Sequence, residues 1–218
     1  MDFIRNHWFR LGLIFSMVLA FYGLFAGSFL SAVERLLLAS LMALPLHQFE
    51  EYEMPGGGPL VINRVFWGEK KDFMNYPGNW NSIMIVNVSA YVFYIAALLL
   101  PHVYWLGLAM MLFNLFQVLG HGLEMNIKGK TWYNPGMGTS IFLFLPISLA
   151  YILEIRELLT LPAVLAALAS VAAIVLVTVI FPVQGLKSRN SPYRIPEWQY
   201  RQFEKVRRKC AFSIRKAK

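Results

Sequence analysis

Long apolar blocks separated by short polar connections dominate the sequence. A helix needs about 20 mainly apolar residues to cross the hydrocarbon core of a bilayer, and six blocks approach or exceed that length. The pattern therefore predicts an all-α fold, an integral membrane bundle of about six transmembrane helices. The predicted spans are Trp8–Phe29, Arg35–Phe49, Trp80–Leu100, Val103–Leu123, Gly136–Ile155 and Leu161–Phe181.

The second block is the shortest and the most polar of the six. Glu34 and Arg35 stand at its start, and Pro45 lies near its end. Because proline lacks a backbone N–H, we expect it to kink or loosen the helix just before His47.

The distribution of lysine and arginine predicts the topology, because short cytoplasmic loops of membrane proteins are enriched in both. With six spans, one side of the membrane holds the basic residues of the N-terminus, of two loops and of the tail. Those of the N-terminus and loops are Arg5, Arg10, Arg64, Lys70, Lys71, Lys128 and Lys130, whereas the other side has only Arg35 and Arg156. Both termini are therefore expected in the cytoplasm, and the expected location is a bacterial cytoplasmic (inner) membrane.

Composition agrees with a membrane protein, since 57% of the residues are hydrophobic and 15% are charged. The net charge of +8 comes from one segment: residues 184–218 contain eleven Lys or Arg against Glu197 and Glu204, which gives +9. The chain therefore divides into a transmembrane bundle at 1–183 and a basic cytoplasmic tail at 184–218.

Apolar residues recur at near-helical spacing among the cations of the tail, from Ile195 to Cys210. This pattern predicts a basic amphipathic helix that lies on the membrane surface. Its expected partners are the lipid bilayer and anionic lipid headgroups. Nucleic acid is not an expected partner, because the tail is tethered to the membrane.

The connection from Glu51 to Asn79 is the longest within the predicted bundle. Its Pro55–Pro59 segment is expected to be a flexible turn, and Leu60–Trp67 is apolar enough to lie in the membrane interface. Connections of this length are often functional, but a solvated loop with one interfacial helix fits equally well.

Two short segments carry most of the groups near the bundle that can bind a metal. His47 to Glu51 and His121 to Glu124 each contain a His-x-x-Glu unit, and residues three apart on a helix share a face. The predicted topology puts both segments at one depth on the cytoplasmic side. The candidate metal ligands are His47, Glu50, Glu51, His121 and Glu124, with Glu51 as an extra ligand or a general base. Zinc and iron both suit such ligands, and no organic cofactor is indicated.

Polar residues also form stripes along the third and fourth spans, where a group facing lipid would be costly. The stripes predict a polar cavity that opens toward the cytoplasm. Its candidate lining residues are Asn87, Tyr91, Tyr94, Gln117 and Tyr133, and the candidate catalytic residues are Glu51, Asn114 and His121. The alternative is that these amides only join helices through hydrogen bonds, and that the glutamates are solvated charges.

The segment His47-x-x-Glu50-Glu51 resembles the defining motif of the HXXEE family of multi-pass membrane proteins. Further similar elements are Asn114 and His121 in a later helix, and then the segment Tyr133–Gly136 before another apolar span. The resemblance covers about residues 36–181. It implies a membrane bundle whose activity is unassigned, and it implies no catalytic role for any residue.

Three hypotheses follow for the function. The first is a membrane-embedded metalloenzyme that acts on a lipid or another apolar substrate through the His/Glu site. The second is a metal-free lipid isomerase in which a histidine and a carboxylate shuttle protons, in loose analogy to sterol isomerases of the emopamil-binding type. The third is a small transporter or ion-binding protein that uses the same carboxylates.

Overall fold

The protein is built from helices joined by short connections, and its computed structural model describes residues 1–212. Within that range no β-strand occurs, and a single isolated bridge joins Thr131 and Ala211. The predicted all-α fold class is confirmed. The helices are α1 (Asp2–Phe29), α2 (Ala32–Tyr52), α3 (residues 58–66), α4 (Trp80–Leu99), α5 (Tyr104–Gly129), α6 (Met137–Leu158), α7 (Leu161–Leu186) and α8 (Glu197–Cys210).

Six long helices, α1, α2, α4, α5, α6 and α7, run up and down one bundle. Hydrogen bonds at one end join its N-terminal residues to the start of α4, where Trp80 Nε1 donates to Asn6 Oδ1 at 2.9 Å. At the same end, Asn79 Nδ2 donates to the carbonyl of Leu186, which ends α7, at 2.7 Å. The N-terminus and the segment that leads to α8 therefore lie at one end of the bundle.

Five of these helices are long and apolar enough to cross a membrane, and α2 is the exception. With 21 residues, α2 is long enough to span about 30 Å, but several polar side chains interrupt it. Most of its C-terminal half is buried against α1, α4 and α6. The bundle thus shields a polar helix from lipid, and both the number of crossings and the side of the termini stay predictions.

The second helix begins earlier and ends later than the predicted span Arg35–Phe49. Ser31 and Glu34 form a capping box, in which Ser31 Oγ accepts from the Glu34 N–H at 3.2 Å and Glu34 Oε2 accepts from the Ser31 N–H at 2.8 Å. Pro45 lies inside a continuous helix, one turn after Met42, whose carbonyl accepts from Ser16 Oγ of α1. These contacts let the helix extend through Pro45 to the residues of the His47 segment.

Residues 56–61 are buried in the protein, which corrects the expectation of a flexible turn at Pro55–Pro59. Trp67 at the end of the predicted interfacial stretch is 44% exposed, and the interfacial position of that stretch stays a prediction. Leu60 is fully buried and Val61 nearly so, in a core that also contains Phe9 and Trp80. Gly57 has a φ of 95°, and an added Cβ would lie 2.6 Å from the backbone nitrogen of Phe203 in α8. Only glycine fits this conformation and this close approach.

The amphipathic helix predicted in the tail is present as α8, but its apolar face packs on the protein. Ile195, Phe203, Val206 and Cys210 are all buried there. Ile195 and Phe203 belong to the core that contains Leu60, Phe9 and Trp80, so the tail packs on the unit predicted at residues 1–183. The last residues of the predicted tail, 213–218, lie outside the described residues.

The tail is joined to two connections that follow α2 and α5. Gln199 accepts from the Gly57 N–H at 2.6 Å and donates to the Tyr52 carbonyl at 2.7 Å. On the other side, the Trp132 N–H donates to the Cys210 carbonyl at 2.9 Å. The tail is thus hydrogen-bonded at the ends of both helices that carry the candidate ligands.

An ion pair fixes the segment before α8 to the long connection after α2. Arg189 Nη2 lies 2.9 Å from Glu69 Oε2, and its guanidinium also pairs with Asp72. The hydrogen bond from Arg189 lowers the pKa of Glu69 to about 2. The carboxylate is therefore ionised at neutral pH, and the pair holds the path of the chain into the tail.

Replacing Gln199 by Ala should detach α8, because it leaves the Gly57 N–H and the Tyr52 carbonyl buried without partners. An orphaned buried group costs about 1–3 kcal/mol. We expect a lower melting temperature in detergent and faster tryptic cleavage at Lys187 to Arg194. Gln202→Ala is the control, since the structure through residue 212 gives the Gln202 side chain no hydrogen bond. Equal melting temperatures for the two variants would show that the Gln199 hydrogen bonds do not hold α8 in place.

Candidate functional site

Three buried side chains, His47, Glu51 and His121, meet near the end of the bundle that α8 covers. Glu51 Oε1 lies 3.3 Å from His121 Nε2, and Glu51 Oε2 lies 3.7 Å from His47 Nε2. One ligand atom from each residue lies within 4.8 Å of the others. The two imidazole rings meet edge to face, with centroids 4.9 Å apart. We refer to these three residues as the His/Glu cluster.

The spacing of the His/Glu cluster suits a single small divalent ion. Zinc binds histidine nitrogen and carboxylate oxygen at about 2.0–2.2 Å, so that neighbouring tetrahedral ligand atoms lie roughly 3.3–3.5 Å apart. The nitrogen–oxygen distances of 3.3 and 3.7 Å, which involve the two different oxygens of Glu51, are close to this separation. A set of two histidines and one carboxylate also matches the ligand type of non-haem iron(II) sites.

A hydrogen bond from His47 to Thr139 fixes the tautomer of His47. Thr139 Oγ1 lies 2.5 Å from Glu50 Oε2 and 2.9 Å from His47 Nδ1. The hydroxyl has one proton, which it donates to the carboxylate, so that it accepts from the protonated Nδ1. Nε2 then carries a lone pair, and among residues 1–212 no hydrogen-bond partner reaches it.

Glu50 anchors the first turn of α6 and does not face the His/Glu cluster. Its carboxylate accepts from the backbone N–H groups of Gly138 at 2.9 Å and Thr139 at 2.7 Å. The Tyr133 hydroxyl donates to Oε1 at 2.7 Å, and burial together with Glu50 raises the pKa of Tyr133, so that this hydroxyl keeps its proton. The amino end of a helix favours an anion. The predicted role of Glu50 as a metal ligand is thus replaced by an anchoring role.

Asn134 holds the other imidazole of the cluster. Its Nδ2 donates to the His121 carbonyl at 2.7 Å and to Asn126 Oδ1 at 2.8 Å, which identifies the opposite amide atom as oxygen. That oxygen, Oδ1, lies 2.7 Å from His121 Nδ1 and accepts its proton. His121 therefore also presents Nε2 to Glu51. Such a partner on the far nitrogen is typical of histidines that bind metals.

Gly136 lets α6 begin directly above both histidines. Its φ is 99°, in the left-handed region that favours glycine. An added Cβ would lie 2.5 Å from Cε1 of His121 and 2.9 Å from Cε1 of His47. The close approach of this backbone encloses the His/Glu cluster on one side.

Glu124 does not join the cluster, although the sequence places it three residues after His121. Its side chain is half exposed and pairs with Lys128 Nζ at 2.8 Å. The reason is local: Gly120–Glu124 is a π-helical turn. The wider turn rotates residues three apart away from a common face, so His121 points inward while Glu124 points outward.

The predicted catalytic residue Asn114 lies away from the cluster and joins helices. Tyr94 donates to Asn114 Oδ1 at 2.5 Å, and Asn114 Nδ2 donates to Ser40 Oγ at 2.9 Å. Ser40 precedes His47 by two helical turns, which corresponds to about 10 Å along α2. The amide is fully buried and serves as a hydrogen-bonded bridge between α2, α4 and α5.

Asn87 and Tyr91, which were predicted to line a cavity, bond to side chains of α2. Tyr91 donates to Gln48 Oε1 at 2.7 Å, Gln48 donates to the Asn87 carbonyl, and Asn87 donates to the Tyr52 hydroxyl at 2.9 Å. Gln117 is half buried, and the described structure gives its side chain no hydrogen bond to this network. These contacts match the alternative that polar groups hold membrane helices together.

Comparison with known protein families identifies the family to which this chain belongs. The model of the family described as "Protein of unknown function with HXXEE motif" matches residues 38–151, slightly more than half of the chain. The chain belongs to the HXXEE family. No curated protein and no solved structure matches it.

The structure gives each constant position of the HXXEE motif a physical role. His47 and Glu51, four residues apart, both enter the His/Glu cluster, while Glu50 binds the start of α6. Sequence reasoning missed Thr139 and Asn134, which orient the two histidines. The sequence feature that came closest to indicating these roles was the position of Asn134 and Gly136 just before an apolar span.

Gly136→Ala should damage the site, because it adds a Cβ against both imidazole rings and strains a positive φ. The strain alone costs about 1–2 kcal/mol. We expect a clearly lower melting temperature in detergent. The control is Gly122→Ala, where an added Cβ meets no atom within 4 Å. Equal stability of the two variants would show that the contact between Gly136 and the histidines is not tight.

Proposed function

We propose that this HXXEE protein is a membrane-embedded metalloenzyme that acts on a lipid or another apolar substrate. Its metal centre would hold one divalent ion on His47, Glu51 and His121. One observation carries this proposal: Nε2 of His47 is buried without a hydrogen-bond partner among residues 1–212 and lies 3.7 Å from the Glu51 carboxylate. Two buried acceptors that face each other are unfavourable, and a cation between them removes the conflict.

Three protein ligands leave a coordination position for a reactant, as in catalytic rather than structural zinc sites. When bound, zinc or iron at this position would activate water or dioxygen. The chain's own residues supply the rest. Thr139 and Asn134 orient the imidazoles, Glu50 holds the start of α6 against α2, and Gly136 keeps bulk water away from one side.

The proposed substrate class follows from the surroundings of the cluster. The ligands are at most 6% exposed, and they lie in a bundle whose outer surface is apolar along five helices. A water-soluble substrate would have to enter through the end that α8 and the Tyr133 segment cover. An apolar molecule would instead enter from the bilayer between the helices.

Glu51→Gln should abolish high-affinity metal binding, because it removes the only carboxylate of the His/Glu cluster while keeping its size. We expect near-stoichiometric zinc or iron in the wild-type protein, purified in mild detergent without a His-tag, and at least about a hundredfold weaker binding in the variant. Elemental mass spectrometry measures the bound metal. Glu124→Gln is the matched control and should bind like the wild type.

The same preparations test the reaction. Metal-loaded protein in nanodiscs is incubated with a total lipid extract, and the products are compared by mass spectrometry with those of Glu51→Gln. A wild-type protein that binds neither added zinc nor added iron would overturn the metalloenzyme proposal and favour the metal-free isomerase. Bound metal without any change in the lipids would favour the ion-binding or transport alternative.

Thr139→Val should weaken metal binding about 10- to 100-fold, because Nδ1 of His47 loses its partner and one oxygen of Glu50 loses one of its two donors. Valine keeps the shape of threonine but has no hydroxyl. Thr139→Ser keeps the hydroxyl and should restore the affinity. Titration of the metal-free proteins with zinc measures both values, and an unchanged affinity in Thr139→Val would exclude this positioning role.

A further inference from the structure

A groove of about 560 Å³ runs between α8 and the connections that follow α2 and α5. We call it the tail groove, and its lining includes Glu53, Met54, Trp132, Tyr133, Lys205 and Lys209. It is separate from the His/Glu cluster, whose three residues do not line it. Tyr133 contacts both regions, since its hydroxyl bonds to Glu50.

The cations beside the tail groove have no acidic partners. Arg201, Lys205, Arg208 and Lys209 recur at intervals of four, three and one along α8, which places them on one face of the helix. Through residue 212, no carboxylate pairs with any of these four side chains. The neighbouring Glu204 is already bonded to Arg64 at 2.8 Å and to Arg207 at 3.3 Å. This face of α8 therefore carries a concentrated and uncompensated positive charge.

The single carboxylate that lines the tail groove does not offset this charge. Both oxygens of Glu53 bind the guanidinium of Arg10, at 2.8 and 2.9 Å. A bidentate pair of this kind neutralises the acid and fixes its geometry. An anion in the groove would thus meet the ammonium groups of Lys205 and Lys209 without repulsion from Glu53.

The opposite rim of the groove is apolar and exposed. Met54 is 67% exposed and Trp132 is 57% exposed, and they follow the ends of α2 and α5 by only a few residues. Tryptophan is enriched where membrane proteins meet the headgroup region. The backbone of Trp132 is fixed, because its N–H donates to the Cys210 carbonyl. The rim therefore offers a rigid apolar surface at the level where a bundle helix ends.

We propose that the tail groove binds the headgroup of an anionic phospholipid. Lys205 and Lys209 would hold the phosphate, while Trp132 and Met54 would contact the glycerol and the first methylene groups. Two cations without partners, beside an apolar rim at a helix end, match a ligand that is anionic at one end and apolar at the other. Because hydrogen-bonded backbone bounds the groove on both sides and its volume is limited, it would hold one lipid rather than a diffuse layer.

Native mass spectrometry of the full-length protein tests this proposal. The protein is released from nanodiscs that contain equal amounts of phosphatidylglycerol and phosphatidylcholine, and the retained lipids are counted. We expect preferential retention of one phosphatidylglycerol, reduced about tenfold or more in the double variant Lys205→Glu/Lys209→Glu. Trp132→Ala should reduce it less. The matched control is Lys70→Glu/Lys71→Glu, which changes the net charge equally at two other exposed lysines and should retain lipid like the wild type.

Each other outcome overturns the proposal. Equal retention of both lipids, or equal loss in the control variant, would show only general electrostatic attraction. Displacement of the lipid by glycerol 1-phosphate would identify the occupant as a soluble phosphate compound. A change in the ratio of dimer to monomer in Lys205→Glu/Lys209→Glu, with lipid retention unchanged, would identify it as a second copy of the chain. Melting temperatures confirm that the variants are folded, as expected for exposed positions.

Discussion

The contact between the Glu50 carboxylate and the first turn of α6 is the interaction on which the candidate site depends. It joins a partly buried anion to two backbone N–H groups and two hydroxyls, so that each carboxylate oxygen accepts two hydrogen bonds. The same contact positions Thr139, whose hydroxyl fixes the tautomer of His47. It also brings Gly136 over the imidazole rings. One carboxylate thereby determines both the docking of a helix and the chemistry of a neighbouring residue.

This arrangement places a polar helix, α2, in the middle of the bundle. In α2, side chains such as Gln48 and His47 would be unfavourable against lipid. The surrounding helices shield them and supply partners, as Tyr91 does for Gln48 and as Thr139 does for His47. This explains why α2 is too polar to resemble a membrane span and still runs the length of the bundle. Helices with apolar outer surfaces surround a helix that carries the chemistry.

The tail covers the end of the bundle near which the candidate metal ligands His47, Glu51 and His121 lie. Gln199 replaces backbone partners for Tyr52 and Gly57, and the backbone around Cys210 pairs with Trp132. Because these contacts follow directly on the helix ends that carry Glu51 and His121, α8 holds the two ligand segments in a fixed relation. Its other face is basic and exposed. The same helix thus serves the interior through its apolar side and, as we propose, a lipid through its cationic side.

The sequence alone determined the all-α membrane bundle and two of the segments that meet in the site, because long apolar blocks and helical His-x-x-Glu spacing are local properties. Local spacing could not separate Glu50 from Glu51, since residues three and four positions after His47 both lie on its face of the helix. Only tertiary structure decided that α6 binds the first and that His121 approaches the second. The pattern also could not reveal the π-helical turn that directs Glu124 outward. For α8, the amphipathic pattern could not tell whether lipid or protein covers the apolar face, because both remove that face from water equally well. In the structure, protein covers it, since Gln199 of α8 bonds to Gly57 and Tyr52.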